Sequence, residues 1–293
     1  LAATDLQAMH IAKSIVDVRA MVAVAQRGGK KIGLVPTMGA LHEGHLSLIR
    51  AAREECDFVV VSIFVNPTQF GPHEDLDRYP RPTEEDLRGC GDEGVDLVFL
   101  PDVATIYPAG DQTIVEAVEL STLVEGAHRP GHFRGVTTVV LKLLNIVTPD
   151  VAYFGRKDYQ QQLIIRQMCR DLALPVEIAT CPTIREADGL ALSSRNRYLS
   201  ESERETALSL SRCLQFACDR VAAGETDLTA LRHEMVQRMQ QTPGVELDYA
   251  TIVDAETLNE DAQPTARLVA LIAARVGTTR LIDNMVIERT NSP

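Results

Sequence analysis

The stretch Cys56-Asp57-Phe58-Val59-Val60-Val61-Ser62-Ile63-Phe64-Val65 is almost continuously apolar and rich in β-branched side chains. A strand with one wet face alternates apolar and polar residues. A run without alternation predicts a strand covered on both faces, as in a parallel sheet between helical layers. The runs KKIGLVP (30–36), VDLVFLP (95–101), VAYFG (151–155) and VEIATCPTI (176–184) are of the same kind. Between them, 45–55, 135–147 and 159–172 carry apolar residues at helical spacing. Strand and helix in alternation predict an α/β fold, a doubly wound parallel sheet over residues 1–184.

Past residue 184 the texture changes. Ser200-Glu201-Ser202-Glu203 is a capping box that predicts a long helix to about Ala223. A second helix is expected over 227–240, followed by the strand-like runs VELDYATIVD, ARLVALIAARV and TRLIDNMVIE with no helix between them. Residues 185–293 thus read as a smaller C-terminal α+β domain.

Charge narrows the partners. Against 29 Lys+Arg stand 41 Asp+Glu, a formal net charge of −12. Such a field repels phosphate backbones and anionic lipid, so neither nucleic acid nor a membrane is an expected partner. The charge is unevenly spread: 71–125 holds three basic and fourteen acidic residues, whereas 126–170 holds seven basic and two acidic. A local basic patch suits a small anion. The N-terminal stretch has neither a cationic start nor an apolar core followed by a cleavage site, so it does not read as a secretory signal. The six cysteines form no C-x-x-C pair, and most sit in apolar surroundings. A reduced, cytoplasmic setting is expected.

Five segments carry polar chemistry. Pro36-Thr37-Met38-Gly39-Ala40-Leu41-His42-Glu43-Gly44-His45 lies at a strand-to-helix junction, where free N–H groups and the helix dipole favour an anion. His42 and His45, three apart, project to one side of the first turn and suit charge building on a phosphate. Two surface histidines at a helix start fit the same spacing; a zinc reading is weak, because the H-E-x-x-H motif needs i, i+4 and these are i, i+3. Asn66-Pro67-Thr68-Gln69 ends the most apolar strand, at the sheet edge where α/β proteins bind ligands. A plain polar turn would look alike. His128-Arg129-Pro130-Gly131-His132-Phe133-Arg134-Gly135 concentrates cations and glycines, as an anion site or a solvated loop would.

Phe154-Gly155-Arg156-Lys157-Asp158-Tyr159-Gln160-Gln161 places Lys157 for phosphate, Asp158 as a helix cap and Gln161 as a substrate donor, or is an ordinary capped helix start. Asp188-Gly189-Leu190-Ala191-Leu192-Ser193-Ser194-Arg195-Asn196 supplies hydroxyls and a guanidinium at the domain junction, for a triphosphate or merely as a polar linker. The P-loop, dinucleotide and nucleophile-elbow signatures are missing.

Taken in order, PTMGALHEGH, SIFVNPTQF, RPGHFRGV, FGRKDYQQ and DGLALSSRN resemble the pantothenate synthetase (pantoate–β-alanine ligase) family over essentially the whole chain. PTMGALHEGH is similar to the HIGH motif of the cytidylyltransferase and aminoacyl-tRNA synthetase superfamily, and LSSRN to its KMSKS loop. The resemblance implies a Rossmann-like N-terminal domain and a C-terminal lid. It implies a two-step ligase: ATP and (R)-pantoate give pantoyl adenylate and pyrophosphate, then β-alanine displaces AMP. It further implies that Met38, Gly39, Ala40, Leu41, His42, Glu43, Gly44 and His45 line the ATP site, with His45 as proton donor. Gly155, Arg156, Lys157, Asp158, Ile184, Leu192, Ser193, Ser194 and Arg195 would also contact ATP. Gln69 and Gln161 would hold pantoate, Gln69 also lying near β-alanine, with Asn66 and His132 as further substrate residues. Mg²⁺ as cofactor and a homodimer are implied too.

From the residue types, His42, His45, Lys157 and Arg195 are the expected catalytic donors, offsetting charge on the phosphate oxygens. Glu84-Glu85-Asp86 is an acidic cluster that either reaches Mg²⁺ through water or caps a helix. Arg156 stands where the family often has Glu. Two other functions share these features: a nucleotidyltransferase or adenylating ligase acting on another carboxylate, and a non-catalytic nucleotide-binding protein.

Overall fold

The structure, a computed structural model, describes residues 9–260 and 267–288. The chain divides into two compact units. The first runs to Ser121 and takes up Arg129–Arg156 and Gln161–Pro182. The second comprises Thr122–His128, Lys157–Gln160 and the described chain from Thr183 onward.

In the first unit, six strands form one parallel sheet: β1 (His10–Ala12), β2 (Ile32–Thr37), β3 (Phe58–Ile63), β4 (Leu97–Phe99), β5 (Val151–Gly155) and β6 (Glu177–Cys181). The helices are α1 (Ile15–Arg27), α2 (Glu43–Glu55), α3 (Thr83–Asp92), α4 (His132–Val147) and α5 (Tyr159–Asp171), which starts in the second unit's share of the chain. The apolar run at 56–65 becomes β3, between β2 and β4, with every residue buried.

Its side chains alternate between two cores, which explains the lack of alternation in polarity. Phe58 and Val60 join Ile32, Leu34, Leu97, Phe99, Ala152 and Phe154 in a core shared with α1, α4 and α5. Val59, Val61 and Ile63 join Val35, Val98, Val151 and Tyr153 on the opposite face, with Leu48, Ile49 and Ala52 of α2 and Cys90 of α3. The strand order β1-β4-β3-β2-β5-β6 puts β3 and β5 on either side of β2. The winding direction therefore reverses at β2, and the carboxyl ends of β2 and β5 bracket the switch point where open α/β sheets bind ligands.

The second unit packs α6 (Glu201–Ala222) and α7 (Leu228–Gln240) on an antiparallel sheet β7-β8-β9 (Val245–Asp254, Arg267–Val276, Thr279–Glu288). The expected capping box opens α6: Ser200 Oγ accepts from Glu203 N at 3.3 Å, and the Glu203 carboxylate accepts from Ser200 N at 2.8 Å. Asp227 caps α7 through Ala230 N at 2.9 Å. Segments 122–128 and 157–160 are tied in by buried polar groups. Glu125 takes both terminal nitrogens of Arg280 at 2.6 and 2.8 Å and the Tyr249 hydroxyl at 3.0 Å, while its own N–H donates to Gln160 Oε1 at 3.0 Å. No described helix is long and apolar enough to cross a membrane.

Burial pushes the thiols of Cys169, Cys213 and Cys218 up to about 11 and that of Cys90 up to about 12. Only the thiolate attacks a disulfide reagent. Titration of the native protein at pH 8 with an aromatic disulfide should therefore be slow, and denaturant should release all six thiols at once. Rapid labelling of Cys90 or Cys213 in the folded protein would contradict this.

Candidate active site

The turn between β2 and α2 is built on backbone groups. Thr37 Oγ1 donates to Ser62 O at 2.8 Å and accepts from Gly39 N at 3.1 Å. Gly39 and Ala40 then take positive φ of 79° and 50°, aiming two successive N–H groups one way. The Asp86 carboxylate receives both, from Ala40 N at 2.9 Å and Leu41 N at 2.7 Å. A Cβ on residue 39 would lie 2.8 Å from Asp86 Oδ2 and 3.1 Å from Ile63, so glycine is required here for space as well as for φ.

His42 is the N-cap of α2, and His45 is its third residue. His42 Nδ1 accepts from Gly44 N at 3.1 Å, and His45 Nδ1 accepts from His42 N at 3.4 Å, a reciprocal capping box made of two imidazoles. Their ring centroids lie 4.1 Å apart. An Nδ1 that accepts must be unprotonated, so each neutral ring carries its hydrogen on Nε2. The geometry thus assigns two neighbouring Nε2–H donors. Glu43 pairs with Arg50, as does Glu93 at 2.5 Å.

At the end of β3, Asn66 is fully engaged by the fold. Its Oδ1 accepts from Thr68 N, Thr68 Oγ1 and the Tyr107 hydroxyl at 3.3, 2.9 and 2.9 Å. Burial raises the Tyr107 pKa, so this hydroxyl stays a donor. Asn66 Nδ2 donates to Gly135 O at 3.1 Å and to Gln69 Oε1 at 3.0 Å. The Gln69 amide is thereby oriented, with Nε2 directed at Met38 Sδ, 3.1 Å away and a weak acceptor. Asn66 acts here as the orienter of Gln69. A Cβ on Gly135 of α4 would stand 2.3 Å from Thr68 O, so only glycine lets the helix approach this turn.

The Gln69 carbonyl is fixed as well. His132 Nδ1 approaches it at 2.8 Å, and Arg129 Nη2 donates to it at 3.3 Å. Arg129 Nη1 lies 3.1 Å from His132 Nε2, so Nε2 is the accepting nitrogen and Nδ1 carries the hydrogen. Arg129 also makes a two-pronged pair with Glu74, at 2.7 and 2.6 Å. Burial opposes the charge on Glu74, but the Arg129 hydrogen bonds and charge prevail and hold its carboxyl below the usual range. Both ring nitrogens of His132 are thus engaged within the protein.

Gly155 and Arg156 follow at the carboxyl end of β5, where Arg156 N donates to Cys181 O at 2.8 Å. Three consecutive glutamines then differ in role. Gln160 bonds Glu125 N and Leu123 O, at 3.0 and 2.8 Å. Gln162 accepts from Thr180 Oγ1 at 3.2 Å. Gln161, half-buried in the first turn of α5, makes no side-chain hydrogen bond among the described residues.

In the second unit, Lys157 and Asp158 form a half-buried turn, and the Lys157 ammonium enters no ion pair among the described residues. Ile184 and Leu192 meet across a hairpin: Leu192 N donates to Ile184 O at 3.0 Å, and Arg185 pairs with Ala191. Ser193 caps the following turn through Arg195 N at 3.3 Å. Ser194 is buried there.

Tyr107 and Glu74 escaped the sequence reading, which places Asp86 in an acidic cluster without its role in the turn. Asp86 lay inside the acidic cluster, but its burial and its two amide partners come from the turn some forty-five residues earlier. Glu84, Glu85 and Asp86 occupy the first turn of α3. With both Asp86 oxygens engaged, that carboxylate does not fit a metal ligand. Among the described residues no group of three or more His, Cys, Asp or Glu is placed to hold a metal ion.

Two substitutions test this construction. Asp86→Asn keeps one acceptor and sets an NH₂ against a backbone N–H, so it should cost about 2 kcal/mol in chemical denaturation. Gly135→Ala forces a methyl group into the Thr68 carbonyl and should cost about 3 kcal/mol. Wild-type stability of either variant would contradict the geometry.

Known proteins bear on the same residues. The family profile "Pantoate-beta-alanine ligase" matches residues 10–286. The pantothenate synthetase of Moorella thermoacetica is 54% identical over 280 residues, 96% of this chain and 99% of that protein. That of Acidobacterium capsulatum is 56% identical over 263 residues, covering 90% and 88%. The crystal structure of the Thermus thermophilus pantothenate synthetase superposes with a TM-score of 0.89 at 45% identity, covering 94% and 99%. The Francisella tularensis pantoate–β-alanine ligase, solved with β-γ ATP and β-alanine, gives 0.77 at 37% identity, covering 95% and 98%. With the family profile matched over residues 10–286 and relatives alike across nine-tenths or more of the chain, the chain belongs to the pantoate–β-alanine ligase family.

Proposed function

We propose that the enzyme joins (R)-pantoate to β-alanine in two steps with ATP. A pantoate carboxylate oxygen attacks the α-phosphorus, the bond to the β-phosphate oxygen breaks, and pyrophosphate leaves. The β-alanine amine then attacks the acyl carbon of the adenylate, the acyl–oxygen bond breaks, and AMP leaves with pantothenate as product. The Francisella relative's two ligands support ATP and β-alanine as substrates.

The observation that carries the residue roles is the reciprocal cap of His42 and His45. The first step brings two anions together and builds charge on non-bridging oxygens, which calls for donors fixed in advance. Two Nε2–H groups held by their own Nδ1 atoms meet that need, so His45 acts as a hydrogen-bond donor to phosphate and His42 beside it. The 38–45 turn lines the ATP site together with Gly155 and Arg156. The amides of Gly39, Ala40, Leu41, His42 and Gly44 are taken within the fold, so its contribution is shape and side chains, not the free N–H groups expected from the sequence. On the family resemblance, Lys157, Asp158, Ile184, Leu192, Ser193, Ser194 and Arg195 are further ATP residues, with Lys157 and Arg195 offsetting phosphate charge. Gln69 Nε2 and the Gln161 amide hold pantoate, for both present donors that the fold leaves without a strong acceptor.

Mg²⁺ characteristically keeps its waters and binds through substrate phosphates with one or two carboxylates. When bound it would offset charge on the β- and γ-phosphates. The reading extends to a homodimer in the cytoplasm, on the family resemblance and on a cysteine pattern without C-x-x-C pairs.

ATP–pyrophosphate exchange should require (R)-pantoate, and other short carboxylic acids should not replace it. Exchange supported only by another acid would sink the substrate assignment. His45→Ala should lower exchange about 10²- to 10³-fold, while loss of its cap costs about 1 kcal/mol of stability. Near-normal turnover of that variant would refute the role given to His45.

A further inference from the structure

Asp283 and Asn284 are consecutive residues of β9, only 5% and 3% exposed, and no step above uses them. Leu281 and Ile287 on the same strand are buried apolar residues that pack in the core of this unit. Two polar side chains buried among them are unfavourable unless their hydrogen bonds are met. Successive strand residues point to opposite faces, so the two side chains serve different segments.

Asn284 Nδ2 donates to the carbonyl oxygen of Lys157 at 2.7 Å. Asp283 receives both terminal nitrogens of Arg185, at 2.7 and 2.9 Å, and also the Asn284 N–H at 2.7 Å. Arg185 passes the restraint on, donating to Gly189 O at 3.1 Å and to Asn284 O at 3.1 Å. It is the residue after Ile184, in the hairpin that leads to Leu192 and Ser193. Arg204 grips the hairpin tip from α6, reaching Glu186 and Asp188 at 2.8 and 2.6 Å. All of these residues belong to the second compact unit.

We propose that Asp283 and Asn284 are a positioning pair for the adenylation step. Asn284 sets the main chain of Lys157, and Asp283, through Arg185, sets the 184–192 hairpin, so one dipeptide fixes both nucleotide segments of this unit in register. The proposal rests on the reading of Lys157 as a phosphate ligand. Asn284 is the sharper member to test, because it touches Lys157 at the carbonyl and leaves the ammonium free to meet substrate.

Asn284→Asp keeps the side chain's shape, removes the donor and faces an anion to the carbonyl. ATP–pyrophosphate exchange with (R)-pantoate is measured for N284D, K157A and the double variant, with thermal melting of each. N284D should melt cooperatively, lower exchange about 10- to 100-fold, raise KM for ATP and leave KM for pantoate unchanged. In the K157A background the same change should cost less than about 2-fold, because the group it positions is gone. Wild-type exchange by N284D, an undiminished effect in the K157A background, or loss of cooperative melting would each overturn the positioning role. Normal exchange by K157A alone would overturn the lysine reading and the pair together. An impaired K157A with an additive N284D would overturn the pair only.

Discussion

The first unit's site rests on a single buried carboxylate. Asp86 takes the N–H groups of Ala40 and Leu41, and no water-exposed substitute would hold two adjacent amides with the same direction. Hydrogen bonds to a charged acceptor are the stronger kind, and breaking one here leaves a buried amide unsatisfied. That grip stabilises the positive φ of Ala40, which an L-residue otherwise resists. The turn then delivers His42 to the start of α2, and the two histidines close their cap. Asp86 lies in α3, on the sheet face that also packs α2, so the site's geometry depends on the packing of that layer.

The sheet itself was legible because its physics is local. A strand buried on both faces favours apolar residues throughout, and 58–63 is apolar at every position but Ser62. Ser200 and Glu203 announce a helix start within four residues, and the three C-terminal strands follow their apolar runs. The chain before residue 28 was less readable. β1 has only three residues, and α1 leaves Val16 and Val24 exposed, which blurs its apolar stripe.

The site was readable in its segments but not in its division of labour. The sequence Tyr159-Gln160-Gln161-Gln162 offers three identical amides, and only the fold shows Gln160 and Gln162 committed to neighbours. Asn66 and His132 read in the linear chain as substrate residues, and nothing there shows that they also orient the side chain and the carbonyl of Gln69. Tyr107 and Glu74 are partners from distant sequence, with no motif to mark them. Such residues are set by long-range packing, which neither periodicity nor spacing encodes.

The imidazole cap has a further consequence. A neutral imidazole carries its proton on one of two nitrogens, and the hydrogen bond made at one decides its place. Here the nitrogen lone pairs that start α2 are the ones that would otherwise accept that proton, so helix nucleation and tautomer choice are one event. The folded protein therefore holds both Nε2–H groups in place as part of the start of α2, and in the role proposed above no rearrangement of hydrogens would precede their use.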